Sequence, residues 1–292
     1  MDDLQTLRTA LAVADPTPDV VDRSRHRLRN RMIGTQPPRR RFRPLTIAAG
    51  LAAAAAVAVV VAATLPDPGE RPESPQAAAP VVTGQQVLLA AATVVAGAPA
   101  TTGEYWHVGT KTEEIQYDYW TSKDGRSWFR GEKTGGRVER LHVESPFNLG
   151  FAAVTLEQIL ALPADPEALR SWIADANLRS GARTSAGEPT AADRDEQVLL
   201  GLVSLVSSAP ASPPVRAAAF RAIATYPGVT ALGAVPGGQG VLLPGDLRLV
   251  VDPATGRVNR TSVFVSNDGA LHSTPHPQGA AISAEWTDSL PR

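Results

Sequence analysis

Hydrophobic and polar positions divide the chain into four stretches. In the first, residues 1–44, Leu4, Leu7 and Leu11 stand at i, i+3 and i+7 and form one stripe of a short helix. Asp2 and Asp3 sit at its start, where the helix dipole favours acidic groups. Asp15-Pro16-Thr17-Pro18 breaks that helix, and Thr17 can cap a second one with Pro18 at its first position. This second helix runs to about Met32, with Val20, Val21, Leu28 and Met32 as its few apolar residues. In the second stretch, Leu45–Leu65, the pattern gives way to 21 uncharged residues between Pro44 and Pro66. Ten of these are Ala and eight are Leu, Ile or Val. Residues 66–84 follow, with Pro66, Pro68, Pro72, Pro75 and Pro80 among small and polar residues, which reads as a semi-extended tether.

The fourth stretch, 85–292, carries the alternation of a folded domain. Gln85–Ala96 (QQVLLAAATVVA) reads as a helix. Glu104–Thr110, Ile115–Thr121 and Arg126–Gly131 read as strands, the last two joined by the turn Ser122-Lys123-Asp124-Gly125, and Val138–Val143 adds another. The centre is helical. Thr155 caps a helix to Leu162, and Asp165-Pro166 starts one with Leu169, Trp172 and Ile173 on a single face. Two more helices cover Ala191–Val206 and Pro213–Tyr226. Strands then return at Val229–Val235, Gly240–Leu243, Leu247–Asp252 and Arg257–Ser266, the last two joined by the tight turn Asp252–Gly256. Leu247, Leu249 and Val251 alternate with Arg248 and Val250, as in a strand with one face buried, and Trp286 anchors a final strand. Strands, then helices, then strands predict an α+β domain: an antiparallel sheet with helices on one face.

Charge changes the reading of the first two stretches. Residues 1–43 hold ten arginines against five aspartates, a net charge of +5, in a chain whose total is −1. The remainder is therefore at −6. The cluster Arg39, Arg40, Arg41 and Arg43 immediately precedes the apolar run, while Asp67 and Glu70 follow it. As a helix the run spans roughly 31 Å, the thickness of a bilayer core. The positive-inside rule then places the N-terminus in the cytoplasm and residues 85–292 outside the cell membrane. A cleaved signal peptide is the rival reading, because Arg39-Arg40-Arg41-Phe42 fits a twin-arginine core and Val61-Ala62-Ala63 offers small residues to a peptidase. The length of the run, beyond the usual 7–15 residues of a signal's apolar region, favours a retained anchor. Two readings of the tail stay open. The stripe Leu4, Leu7 and Leu11 docks on a cytoplasmic partner, or the arginines lie on anionic membrane lipid, each adding about 1 kcal/mol.

Candidate chemistry is sparse. The chain has no cysteine, which excludes disulfides and thiolate metal sites. His26, His107, His142, His272 and His276 form no H-E-x-x-H pair, and His272/His276 lies in a proline-containing stretch that reads as loop. No G-x-S-x-G elbow, P-loop or G-x-G-x-x-G is present. Glu113-Glu114 and Asp193/Asp195 read as solvated carboxylates. These observations predict neither catalytic residues nor a cofactor, and no direct nucleic-acid contact. One cluster stands out: Tyr105, Trp106, Tyr117, Tyr119, Trp120, Trp128 and Phe129 fall within 25 residues. At strand spacing such residues build a core. Tyr105, Trp106, Tyr117, Trp120 and Trp128 are equally the candidates for an apolar groove that takes an envelope ligand.

The layout resembles an actinobacterial single-pass membrane family known by a locus-tag name. The resemblance rests on the opening M-D-D-L-x-x-L-R, on Gln86–Ala92 (QVLLAAA), and on Gly103–Val108 (GEYWHV). It continues in Leu162–Arg170 (LPADPEALR), Val251–Gly256 (VDPATG) and the closing Trp286-Thr287-Asp288. It implies membership without catalytic residues to carry over, and it implies an anti-sigma-like regulatory role with a sigma factor as cytoplasmic partner. The H-x-x-x-C-x-x-C motif of zinc-containing anti-sigma domains is absent. The expectation is a non-enzymatic single-pass membrane protein with an outer sensory or binding domain. The alternative is an envelope carrier for lipid or lipoprotein.

Overall fold

Thr83 starts the fold. Its hydroxyl accepts the Gln86 N–H at 3.2 Å, and Gln86 Oε1 accepts the Thr83 N–H at 2.9 Å. This capping box launches helix α1 (Gly84–Ala96), so the domain includes the last residues assigned above to the tether. The structure is a computed structural model that describes residues 82–290, apart from 114, 143–146, 184–186, 266–270 and 275–278. The tail with Leu4, Leu7 and Leu11, the run 45–65 and most of the tether lie outside the described residues. Among the described residues, no helix is long and apolar enough to cross a membrane.

After α1 the chain forms a meander of β1 (Tyr105–Lys111), β2 (Gln116–Ser122), β3 (Ser127–Arg130) and β4 (Glu139–Leu141). A small hairpin absent from the sequence reading, β5 (Phe147–Leu149) with β6 (Ala152–Val154), leads into the helices. Thr155 caps α2 (Leu156–Leu160). Asp165 caps α3 (Pro166–Arg179), with Pro166 at its first position, both as predicted. Next come α4 (Ala191–Ser207) and α5 (Pro213–Ala224). A second meander follows: β7 (Thr230–Val235), β8 (Gly238–Leu243), β9 (Leu247–Asp252) and β10 (Arg257–Thr261). The expected strand 257–266 is broken at Ser262, whose N–H bonds Arg248 O at 2.9 Å while its hydroxyl accepts the Arg248 N–H at 2.8 Å. Beyond it, β11 (Val263–Val265) leaves the sheet and pairs with β12 (Leu271–Ser273). The last strand is β13 (Ala280–Thr287).

The sheet has nine strands in the order β4-β3-β2-β1-β13-β10-β9-β8-β7, and every pairing is antiparallel. The final strand thus joins the two meanders, with Trp286 opposite Trp106 and Ala281 opposite both Lys111 and Arg260. The domain is α+β, as the order of elements predicts.

Strand alternation then decides what each face carries. Trp106 and Val108 of β1, Leu249 and Val251 of β9, and Ala284 and Trp286 of β13 meet the helices in one core. Leu88, Leu169, Ile173, Leu202, Phe220 and Ile223 are among its fully buried helical members. Trp172 is half-buried at the edge of this core, off the stripe of Leu169 and Ile173. Val250, assigned to the open face of β9, is also buried, beside Leu232 and Pro236 from the neighbouring hairpin. A second, smaller core lies under the β11–β12 flap and joins Tyr117, Phe264, Ala280 and Ile282, with Tyr119 and Phe129 packed against it.

Candidate functional site

The five candidate groove residues do not share a groove. Tyr105, Trp120 and Trp128 point to the sheet face away from the helices, whereas Trp106 and Tyr117 point to the covered face. The reason is the two-residue period of a strand: neighbours such as Tyr105 and Trp106 must diverge. Tyr117 is committed to the core beneath Phe264, and Trp106 to the helical core. On the same covered face, His272 stacks on Phe264 at 5.1 Å between ring centroids, while His276 lies outside the described residues.

On the open face, an ordered cluster surrounds Asp118. Arg130 donates to Asp118 Oδ2 from Nε at 3.2 Å and from a terminal nitrogen at 2.8 Å, and His107 Nε2 lies 2.9 Å from Oδ1. The His107 ring stacks on Trp120 at 4.8 Å, and the Arg130 guanidinium sits 5.2 Å from the Trp120 ring centroid. Trp120 is therefore only 2% exposed, on the face turned away from the described helices. Gly109 makes room for this arrangement, since a Cβ there would lie 2.7 Å from Ser283 Oγ and 3.3 Å from Asp118 Oδ1. Both carboxylate oxygens are satisfied by these partners, which makes the cluster a structural brace.

The cleft is on the covered side, at the edge of the helical core. It has a volume of about 850 Å³ and lies between the end of α1, helix α2, the α4–α5 connection and the β9–β10 turn. Such a volume is in the range of small-molecule sites. One wall is the pair Trp106 and Trp286, whose rings meet edge-on at 5.3 Å. Leu156 and Leu160 also line the cleft, and Leu160 is 55% exposed. Val95, the segment Ala98–Thr102, Pro210, Ala211 and Pro213 contribute further to the lining. Lys123 and Glu157 stand exposed at the rim.

Local sequence explains how these walls hold. Gly256, at φ +65°, lets the β9–β10 turn pass directly beneath α1, where a Cβ would collide with Val95 and approach Ala91 O to 2.9 Å. Asp252 fixes that turn by accepting the Thr255 hydroxyl at 2.7 Å and the Ala254 N–H at 2.9 Å. The same two bonds, that of Thr255 first, hold the Asp252 carboxyl below its ordinary pKa. Trp106 is held by its own hydrogen bond, donated from Nε1 to Ser208 O at 2.6 Å.

Arg216 is the unusual member of the lining. It continues the stripe of Ala219, Phe220 and Ile223 at i, i+3, i+4 and i+7, and those three residues are fully buried. Its Nε is buried with no hydrogen-bond partner. Among the described residues no carboxylate lies within ion-pair distance of Arg216 or of Arg257, the second guanidinium lining the cleft. Burial first, and then the like charge of Arg257, push the Arg216 pKa below its ordinary value. Sequence reading overlooked this residue, although a lone cation on the apolar stripe of an Ala-rich helix was the available signal.

Among the described residues, no group of three or more His, Asp or Glu side chains is placed to hold a metal ion. Comparisons of the chain with protein families, with curated proteins and with solved structures returned no match.

Proposed function

We propose that residues 83–292 form the extracytoplasmic binding domain of a single-pass membrane protein, and that the cleft takes a lipid-like envelope molecule. The cleft carries this reading. It is a solvent-accessible space of about 850 Å³ walled by Trp106, Trp286, Leu156 and Leu160, beside an apolar side chain left 55% exposed. Apolar surface of this kind gains free energy by being covered, at about 25 cal/mol per Å². The Arg-flanked run 45–65 supports the anchor and the orientation, with the N-terminus cytoplasmic. The stripe Leu4, Leu7 and Leu11 supports a regulatory output through a cytoplasmic partner such as a sigma factor, in keeping with the anti-sigma-like layout. The same cleft favours a second reading, an envelope carrier of lipid or lipoprotein whose N-terminal segment serves only as an anchor.

Displacement of a fluorescent fatty acid from the purified full-length chain tests the cleft. Ala98→Trp and Ala161→Trp place indoles in the cleft from exposed positions and spare the core. Each variant should weaken binding about tenfold or more, the loss of one well-buried apolar contact. Unchanged affinity in both would refute the cleft as the binding site. Regulator and carrier then part on output. A regulator loses sigma-factor capture when Leu4, Leu7 and Leu11 become Ser, whereas a carrier delivers bound lipid to acceptor vesicles with or without those leucines.

A further inference from the structure

We infer that the ligand of this cleft carries an anionic end group, a carboxylate or a phosphate, which Arg216 and Arg257 of its lining receive. The inference rests on the cleft reading and adds a charge requirement that the apolar walls alone do not impose. A guanidinium keeps its proton in a protein, so a half-buried Arg216 remains a cation whatever surrounds it. Burying a cation without a counter-charge is costly, and an adjacent like charge raises the cost. Arg216 nonetheless occupies the buried stripe of α5, with its Nε unpartnered and Arg257 facing the same space. Among the described residues the only carboxylate in the lining is Glu157, which is exposed and not within ion-pair distance of either arginine. Helix α5 also enters the lining by its N-terminal end: Ser212 and Pro213 line the cleft, and the Ser212 hydroxyl makes no capping bond. The helix dipole therefore adds positive potential where the two guanidinium groups already point. An anion placed there would satisfy Arg216 through charge-assisted hydrogen bonds, while its chain lies against Trp106, Trp286 and Leu156.

The test compares four probes on the full-length chain: dodecanoate, dodecyl phosphate, dodecanol and inorganic phosphate. Both anionic amphiphiles should bind about tenfold or more tightly than dodecanol, as charge-assisted hydrogen bonds warrant. Comparing the two also tells a carboxylate site from a phosphate site. In Arg216→Gln the advantage over dodecanol should disappear. Arg257→Gln, a change at an exposed position that leaves the core intact, should reduce the advantage in part. Dodecanol binding as tightly as both anions would overturn the inference and leave the apolar cleft standing. An anion preference that survives both substitutions would overturn the assignment to these arginines. Inorganic phosphate binding as tightly as dodecyl phosphate would overturn the proposal of an amphiphile. Failure of all four probes would remove the cleft reading itself.

Discussion

The indole of Trp106 donates its proton to the backbone carbonyl of Ser208 at 2.6 Å, a bond between the second residue of β1 and the C-cap of α4. It joins the sheet to the connection that carries Pro210, Ala211 and Pro213 into the cleft. The wall of the cleft and the core of the domain are therefore one structure. Trp106→Phe keeps the ring against the core and removes only the donor and some volume. It should cost about 1–3 kcal/mol in chemical denaturation, the loss expected when a carbonyl forfeits its partner. An unchanged unfolding midpoint would show that water replaces the indole without loss.

Helix α3 offers a graded pair. Ile173 is fully buried, whereas Trp172 is half-buried at the margin of the same core. Ile173→Ala should cost about 2–5 kcal/mol, as large-to-small changes in cores do. Trp172→Ala should cost less than Ile173→Ala despite deleting the larger side chain. The reverse order in paired urea melts would place the face of α3 wrongly.

Asp118 is 7% exposed and serves two partners, Arg130 and His107. Asp118→Asn removes the charge that Arg130 neutralises and that keeps the His107 ring and the Arg130 guanidinium over Trp120. Because Arg130 is itself partly open to water, the loss should be about 1–3 kcal/mol rather than that of a fully buried pair. Affinity at the cleft, on the opposite face, should stay within twofold. A large loss of ligand binding with little loss of stability would move the functional site to the open face.

Tyr226 gives the protein an alkaline limit. Burial, outweighing the opposing effect of Arg170, pushes its phenol pKa up to about 12 from 10.0. The folded state then holds its proton more tightly than the unfolded state. Its contribution to stability is complete below pH 10 and is lost as pH rises to about 12. Ultraviolet titration should show a late tyrosine step that is absent in Tyr226→Phe, whose stability should fall less over that window. A Tyr226→Phe variant that loses only absorbance titrating near pH 10 would contradict this.

Much of the fold could be read from local signals. Thr155, Asp165 and Pro166 mark helix starts because capping chemistry is contained within four residues. The turn Asp252–Gly256 was legible for the same reason. The break at Ser262 was not, because it depends on hydrogen bonds to Arg248, fourteen residues away in another strand. The aromatic cluster showed which segment mattered but not how it divides. Treating Tyr105, Trp106, Tyr117, Trp120 and Trp128 as one groove ignored the alternation that sends Trp106 inward and Tyr105 outward. The cleft itself is assembled from α1, α2, the α4–α5 connection and two turns, a non-local union that no single window of sequence contains. Only Arg216 leaves a local trace, as a cation on an otherwise apolar helical stripe.

Covalent mapping tests the central claim most directly. The purified full-length chain is irradiated with a diazirine-bearing fatty acid, digested and read by mass spectrometry. Adducts should concentrate on peptides containing Trp106, Leu156, Leu160 and Trp286, and should be lost in Ala98→Trp and under excess dodecanoate. Adducts spread over the open face around Trp128, or confined to residues 45–65 and untouched by Ala98→Trp, would contradict a lipid-binding cleft.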